Sequence, residues 1–311
     1  MRLPKNWESW GFIKMHIPVL LNEAVAYLDP KPGENFVDCT VGMGGHALAI
    51  LGRTAPGGKL LGIDLDAASL NNLKSEVKDA ESRNRITLVQ GNFADIEKII
   101  RRERFGPVDG VLMDLGFSSW HLEESGRGFS FRREEPLDMR LMQAGDLPTA
   151  AELLHALPQE ELERILREYG EERFSRQIAS EIIAQRRKKK FTKTTELVHA
   201  VLAAVPRRFH GTRIHPATRT FQALRIAVNH ELENLALGLF GAFTVLVPGG
   251  RMAVISFHSL EDRMVKRFMR EHVKTGELLS SVKKPITASV AEIRINSRAR
   301  SAKLRAAQKA K

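Results

Sequence analysis

The sequence predicts an α/β fold in which a mostly parallel sheet is interrupted by an inserted helical domain. Strand and helix signals alternate along the first 120 or so residues, and the pattern then becomes mostly helical before a strand signal returns at Arg251–Phe257. Strands separated by helices of this length are typical of parallel sheets with right-handed crossovers. A chain of 311 residues is long enough for about two domains. We therefore predict one domain from residues 1–122 and 220–311, and an inserted domain from residues 123–219.

The elements of the first domain can be placed in order along the chain. Buried strands are predicted at Asn35–Cys39, Leu60–Asp64, Ile86–Val89 and Asp109–Asp114. Helical segments are predicted at Ala47–Arg53 and Ala67–Val77, after the first and second strands. The last part of the chain, from Ile286 onward, begins with strand-like alternation and ends as a basic tail.

The charge of the chain is strongly basic and unevenly distributed. Lysine and arginine number 48 against 37 aspartate and glutamate residues, for a formal net charge of +11. Residues 186–225 hold 11 basic residues and one acidic residue, and residues 261–311 hold 14 basic and 5 acidic residues. Such clusters favour a phosphate-rich partner, because each neutralised phosphate releases counterions. They indicate RNA or DNA binding more than a membrane surface, since neither stretch pairs its charges with a broad apolar face.

Composition excludes several classes of protein. The longest apolar runs are only as long as strands, so no segment is long enough to cross a bilayer. The first residues lack the continuous apolar core of a secretory signal. The single cysteine, Cys39, cannot form an internal disulfide, which is typical of a reducing compartment. We therefore expect a cytoplasmic protein with no membrane partner.

A glycine-rich turn follows the first predicted strand. Gly42, Gly44 and Gly45 lie where that strand is followed by the first helix, and Asp64 ends the next strand. Such a turn brings backbone N–H groups close to a ligand, and an acid in this place can accept hydrogen bonds from both hydroxyls of an adenosine ribose. The pattern fits S-adenosylmethionine (SAM), a nicotinamide dinucleotide, or a turn that serves packing alone. The glycines by themselves do not distinguish among these three alternatives.

Two further sites follow the third and fourth strands. Phe93 can place an aromatic ring against an adenine, although a phenylalanine here also fits a hydrophobic core. Asp114 and Phe117 lie at the carboxyl end of the fourth strand, where open parallel sheets bind ligands. Enzymes that methylate exocyclic amines of bases place a polar residue and an aromatic residue in this loop. Asp114 is therefore a candidate proton acceptor, with a cofactor contact as the alternative role.

Other polar clusters have simpler explanations. Ser259 and Asp262 have the spacing of a capping box for a helix that begins near Leu260. The sequence has none of the CxxC, HxxxH, HExxH or GxSxG patterns, so neither a metal site nor a serine hydrolase is predicted. Six arginines are candidates for phosphate contacts, and ion-paired or solvated surface positions are the alternative for about half of them. They are Arg127, Arg132, Arg140, Arg213, Arg219 and Arg225.

Longer motifs carry a close resemblance to a known family. They are HIPVLLNEAV (16–25), DCTVGMGGH (38–46), GIDLD (62–66), DGVLMDLGFSS (109–119), RGFSFR (127–132), PLDMR (136–140), HPATRTFQALRIAVNHEL (215–232), SFHSLEDRMVKRF (256–268) and NSRARSAKLR (296–305). Together they resemble the bacterial 16S ribosomal RNA cytosine-N4-methyltransferases, also called the MraW or RsmH family. The resemblance runs from about residue 16 to residue 305.

The resemblance implies a class I SAM-dependent methyltransferase, with a Rossmann-like sheet and a helical insert that recognises the substrate. It implies methylation of the N4 amine of a cytosine in the decoding centre of 16S rRNA, in the small ribosomal subunit. The family's SAM contacts fall on Gly44, Gly45, His46, Asp64, Phe93 and Asp114. His121 stands where the family has a glutamine. The residues before His16 resemble an N-terminal extension, with Met15 as an alternative start. The sequence leaves open whether the protein forms a homodimer.

Overall fold

The computed structural model describes residues 18–77, 79–116, 125–142, 147–211, 214–280 and 282–311. Its strands are β1 (Phe36–Asp38), β2 (Leu60–Asp64), β3 (Ile86–Gln90), β4 (Val108–Asp114), β5 (Leu246–Ser256), β6 (Leu278–Ser280) and β7 (Lys303–Lys309). They form one sheet in the order β3-β2-β1-β4-β5-β7-β6. The predicted strands over residues 35–39, 60–64, 86–89, 109–114 and 251–257 are confirmed, with ends that differ by a few residues.

The sheet is parallel from β3 to β5 and antiparallel around β7. In register, Asp38 lies beside both Gly62 of β2 and Leu112 of β4. Asp64 lies beside Gln90, and Asp114 beside Ile255. The carboxyl ends of β1, β2 and β4 therefore meet at one edge of the sheet, and each of these strands ends in an aspartate.

Two hydrophobic clusters cover opposite faces of the sheet. Phe36 and Leu60 belong to one cluster, together with buried residues of the helices at 21–28, 45–53 and 67–76 and of β7. Their neighbours Val37 and Leu61 belong to the other cluster, together with buried residues of the helices at 96–103, 231–245 and 259–274. Alternate residues of a strand point to opposite faces, so the buried strands are apolar on both sides.

The helices fall into two groups. Around the sheet they are α1 (Leu21–Leu28), α2 (Gly45–Arg53), α3 (Ala67–Glu76), α4 (Ala80–Arg85), α5 (Ile96–Glu103), α11 (Glu231–Val245), α12 (Ser259–Lys274) and α13 (Val290–Ile295). Between β4 and α11 they are α6 (Ala150–Ala156), α7 (Gln159–Glu168), α8 (Ser175–Arg186), α9 (Thr194–Ala204) and α10 (Ala217–Asn229). None of the helices in the described ranges combines the length and the apolar character needed to cross a lipid bilayer.

The chain divides into two compact units. One comprises Met1–Gly116 and Glu233–Lys311, and the other comprises Phe117–Leu232. The sequence predicted narrower limits, 123–219, for the inserted unit. The difference at its second end has a physical reason, because Phe221 and Leu224 of α10 are buried in the hydrophobic cluster of the helical unit.

The C-terminal segment differs from its prediction. The alternation after Ile286 does not form a strand, since residues 290–295 form the short helix α13, whose first turn is capped by Ser289. The predicted basic tail is strand β7, which lies between β5 and β6. Arg305 on β7 is buried and donates to the Asp262 carboxylate, so its charge is neutralised inside the unit.

Candidate active site

The glycine-rich turn connects the end of β1 to the start of α2. Gly44 is the N-cap of α2 and has a φ of 82°, in the left-handed region that favours glycine. A Cβ atom at Gly44 would clash with the side chain of Leu73, and one at Gly45 would clash with the ring of Pro18. The turn therefore needs glycine for packing within the chain as well as for its backbone conformation.

Replacing Gly44 with alanine should destabilise the fold by about 1–3 kcal/mol, from backbone strain and overpacking against Leu73. Gly33 provides a matched control, because its φ is 86° and a Cβ atom added there would have no described atom within 4 Å. Gly33→Ala should carry the backbone strain alone. Urea unfolding measures both variants, and SAM titration should show weaker binding for Gly44→Ala only. Equal losses of stability in the two variants would contradict the packing role of Gly44.

Asp64 fixes the shape of the turn. Its Oδ2 accepts a hydrogen bond of 2.8 Å from Gly42 N–H, and its Oδ1 accepts one of 2.9 Å from Asp66 N–H. Burial raises the pKa of this carboxyl, and the backbone hydrogen bonds oppose the rise. Each carboxylate oxygen can accept a second hydrogen bond, so the side chain keeps capacity for a ligand hydroxyl. The predicted ribose contact stays a prediction.

Asp38 is a site residue that the sequence-based prediction does not include. Its side chain is buried at the end of β1, where Oδ1 accepts a hydrogen bond from Thr40 N–H at 3.1 Å. Burial raises the pKa of Asp38 to about 7, and the charges of Asp114 and Asp64 contribute to the rise. An aspartate directly before a glycine turn, at the end of a buried strand, is the signal in the sequence that points to it.

Asp114 ends β4 beside this turn. Its backbone N–H donates to Thr40 Oγ1 at 2.7 Å, which links β4 to the start of the glycine turn. Its Oδ1 is buried and has no hydrogen-bond partner among the residues that the structure describes. Burial raises the pKa of Asp114, and the charges of His46 and Arg298 oppose the rise. The site thus contains a buried carboxylate oxygen whose hydrogen-bonding capacity is not met by the residues that the structure describes.

His46 faces the interior of the protein. Its side chain is 7% exposed, with Nε2 at 3.1 Å from the Val19 carbonyl oxygen and Nδ1 at 3.7 Å from Asp114 Oδ2. Burial lowers the pKa of His46. The imidazole therefore contacts the chain itself, and the predicted cofactor contact of His46 stays a prediction.

Phe93 and His121 complete the predicted set. Phe93 begins a short 3₁₀ helix that Asn92 caps, and its half-buried ring packs against Gly238 of α11. The structure thus brings the ring into the edge of the hydrophobic cluster, which was the alternative interpretation. His121 and Phe117 lie outside the described residues. Among the site residues predicted from the sequence, His46 and Asp114 lie close together, and Asp64 contacts the glycine turn.

The FHSLEDR motif forms a helix cap, with a different residue in the cap position from the predicted one. His258, and not Ser259, is the N-cap of α12, and its Nδ1 accepts from Glu261 N–H at 3.3 Å. Glu261 Oε2 in turn accepts from the N–H groups of Phe257 and His258. The predicted box was therefore shifted by one residue, because His258 can accept through Nδ1 in the role usually filled by serine or threonine.

Most of the six candidate arginines are engaged within the helical unit. Arg127 is buried and donates to the Arg140 and Leu141 carbonyls. Arg140 and Arg225 form paired hydrogen bonds with Asp138 and Glu231 respectively, and Arg219 donates to the Glu171 carbonyl. Arg132 is exposed, and Arg213 lies outside the described residues. The ion-paired interpretation thus holds for Arg140 and Arg225.

Asp38, Asp64 and Asp114 end three adjacent strands around the glycine turn, and we call these three carboxylates the acidic edge. The acidic edge distinguishes between SAM and a nicotinamide dinucleotide as the cofactor. A dinucleotide would bring an anionic pyrophosphate to these acids, whereas SAM carries a cationic sulfonium and an ammonium group. The residues present therefore fit SAM.

The strand order and the site at the carboxyl edge define a class I SAM-dependent methyltransferase. The sequence profile of the MraW methylase family matches residues 13–310. The chain belongs to the MraW methylase family, and it is an enzyme that uses SAM as its methyl donor. The nicotinamide dinucleotide, which was the alternative cofactor for the glycine-rich turn, is therefore wrong for this chain.

Curated relatives align along nearly their whole length. The chain is 45% identical over 310 residues to the ribosomal RNA small subunit methyltransferase H of Heliobacterium mobile, with 94% of this chain and 98% of the relative covered. It is 47% identical to the proteins of the same name from Syntrophotalea carbinolica and Methylococcus capsulatus. These alignments cover 94% and 93% of this chain, and 96% and 99% of the relatives.

Proposed function

We propose that this enzyme methylates the N4 amino group of a cytosine in the decoding centre of 16S rRNA, in the small ribosomal subunit. The relatives are named small subunit rRNA methyltransferases, which supports this class of RNA as the substrate. The observation that carries the choice of an amino group is the buried Oδ1 of Asp114, which has no hydrogen-bond partner among the described residues. A carboxylate oxygen in this place suits a donor N–H of the substrate.

The glycine turn and the acidic edge would hold the cofactor. We assign its binding to Gly44, Gly45 and the backbone of His46, with Asp64 on the ribose hydroxyls and Phe93 beside the adenine. Asp38 would favour the positive charge of the bound molecule. When bound, SAM supplies an electrophilic methyl group. His121 remains a proposed contact in place of the family's glutamine.

The chemistry of the substrate explains the need for a proton acceptor. The lone pair of a cytosine amine is delocalised into the ring, so the amine is a poor nucleophile. Holding the amine N–H against Asp114 orients the lone pair and provides a base for the proton that must leave. Orientation can contribute several kcal/mol to lowering the barrier, and a positioned base typically adds about 10²–10⁴-fold in rate.

We assign RNA recognition to the helical unit, Phe117–Leu232. Residues 187–190 form an exposed basic run in this unit, and Arg132 is also exposed. Contacts from such side chains to phosphates would make RNA binding strongly dependent on salt. A ribosomal substrate also supports a cytoplasmic location for this enzyme, which we include in the proposal.

The test is transfer of labelled methyl groups from SAM to small ribosomal subunits isolated from a strain that lacks this gene. Digestion to nucleosides then identifies the labelled base, and sequencing of protected fragments locates it in the rRNA. We expect label on N4 of a cytosine in the decoding centre. Naked 16S rRNA in a parallel reaction shows whether the assembled subunit is required. Label on another base, or no label when SAM binding is intact, would overturn the proposal.

A further inference from the structure

We propose that His46 is a positioning residue that forms a proton-accepting pair with Asp114. This inference rests on the proposed function, since it takes Asp114 as the group that removes the proton of the substrate amine. A contact to SAM through the backbone of residue 46 would not require an imidazole side chain, and the proposed pair gives that side chain a role.

The hydrogen bond to Val19 determines the tautomer of His46. A carbonyl oxygen can only accept, so Nε2 carries the hydrogen and donates it to Val19 at 3.1 Å. In the neutral imidazole, Nδ1 then holds a lone pair. That atom lies 3.7 Å from Asp114 Oδ2. A movement of under about 1 Å would bring the two atoms into hydrogen-bond distance.

The charges around the pair allow it to exchange one proton. Asp114 faces His46, the positive charge of Arg298, and the negative charges of Glu261 and Asp38. Burial raises the pKa of Asp114 and lowers the pKa of His46. The two values therefore move toward each other, which reduces the free-energy difference between a proton on the carboxylate and a proton on the imidazole.

The proton path balances in two steps. After methylation the substrate nitrogen carries a positive charge, and its N–H bond breaks with the electron pair returning to nitrogen. The proton bonds to Asp114, which becomes a neutral carboxylic acid. Rotation of the carboxyl group presents this proton to His46 Nδ1, and the O–H bond breaks as the N–H bond forms. The product is an imidazolium that donates to Val19 and to the restored Asp114 carboxylate.

Two substitutions separate this role from packing. In His46→Gln the amide nitrogen can reach the Nε2 position and keep the hydrogen bond to Val19, but no titratable group at residue 46 faces Asp114. In His46→Asn a polar group remains near Nδ1 and the bond to Val19 is lost. The measurements are SAM affinity by calorimetry and the pH profile of kcat/KM for methyl transfer to subunits.

We expect His46→Gln to move the acid limb of the profile upward by about one pH unit. When His46 is protonated, its charge lowers the pKa of Asp114, so the substitution raises that pKa and less carboxylate is present at a given pH. We also expect kcat near neutral pH to fall by about tenfold or more, with SAM affinity changed by less than about threefold. His46→Asn should move the limb in the same direction.

Several results would overturn the inference. If the acid limb of His46→Gln lies at the same pH as in the wild type, the role of His46 is structural. If the loss of SAM affinity matches the loss of rate, His46 acts in cofactor binding. If neither variant folds, ¹⁵N spectra of histidine-labelled wild-type enzyme provide the test. The His46 signal is identified as the one that shifts in Asp114→Asn. In the wild-type enzyme this signal must show an imidazole with hydrogen on Nε2 and none on Nδ1. Failure of the wild type to label cytosine N4 would instead overturn the proposed function.

Discussion

Replacing Asp114 with asparagine should lower kcat for methyl transfer by about 10²–10⁴-fold, the usual contribution of a positioned base. Asparagine has nearly the same shape as aspartate, and the hydrogen bond from residue 114 N–H to Thr40 does not depend on the side chain. The amide cannot accept the proton that the methylated amine must lose. We therefore expect SAM affinity to stay within about threefold of wild type.

Single-turnover rates and calorimetric SAM titration measure the two quantities separately. Asp109→Asn provides a matched control, because Asp109 lies on the same strand and its carboxylate accepts from Asn35 N–H at the opposite end of β4. The control should keep wild-type turnover. A loss of SAM affinity in Asp114→Asn as large as the loss of rate would make Asp114 a cofactor ligand and remove its assignment as the base.

The strands and the position of the site can be predicted because both depend on local sequence. Short apolar runs ending in Asp38, Asp64 and Asp114 mark buried parallel strands, and such sheets bind ligands at their carboxyl ends. These two rules are enough to place Asp64 and Asp114 at one edge of the sheet. The same rules also apply to Asp38, whose proximity to Asp114 follows from the pairing of β1 with β4.

The direction of individual side chains cannot be predicted in this way. His46 belongs to the glycine motif, yet its imidazole contacts Val19 and Asp114, which are distant from it in sequence. Phe93 packs against Gly238 of α11, a contact that depends on a helix far along the chain. Sequence spacing determines where a backbone turn forms, while tertiary packing determines which way the side chains point.

The basic C-terminal segment illustrates the same limit for charge. In the sequence, Lys303 and Arg305 fit a solvated tail, because nothing nearby along the chain neutralises them. In the structure both donate to Asp262 on α12, at 3.1 and 2.7 Å respectively. A count of local charge therefore overestimates the basic surface available to RNA at this end of the chain.

The Asp262 interaction leads to the largest expected effect on stability. Arg305 is 8% exposed, so removal of its partner would leave a nearly buried guanidinium without compensation. Breaking such a pair typically costs about 3–5 kcal/mol. Burial alone would raise the pKa of Asp262, but the hydrogen bonds from Arg305 and Lys303 outweigh it, and the pKa is lowered overall.

We therefore expect Asp262→Ala to lower the free energy of unfolding by about 3–5 kcal/mol at pH 7, and urea unfolding measures it. Glu271→Ala is the control, because Glu271 is exposed on the same helix and should change stability by less than about 0.5 kcal/mol. A carboxyl whose pKa is lowered by folding stabilises the protein above its unfolded pKa, and this contribution is lost as the pH falls through the folded value. The difference between wild type and Asp262→Ala should thus shrink in acid. A difference that is constant with pH would show that the loss comes from packing and not from the charge of Asp262.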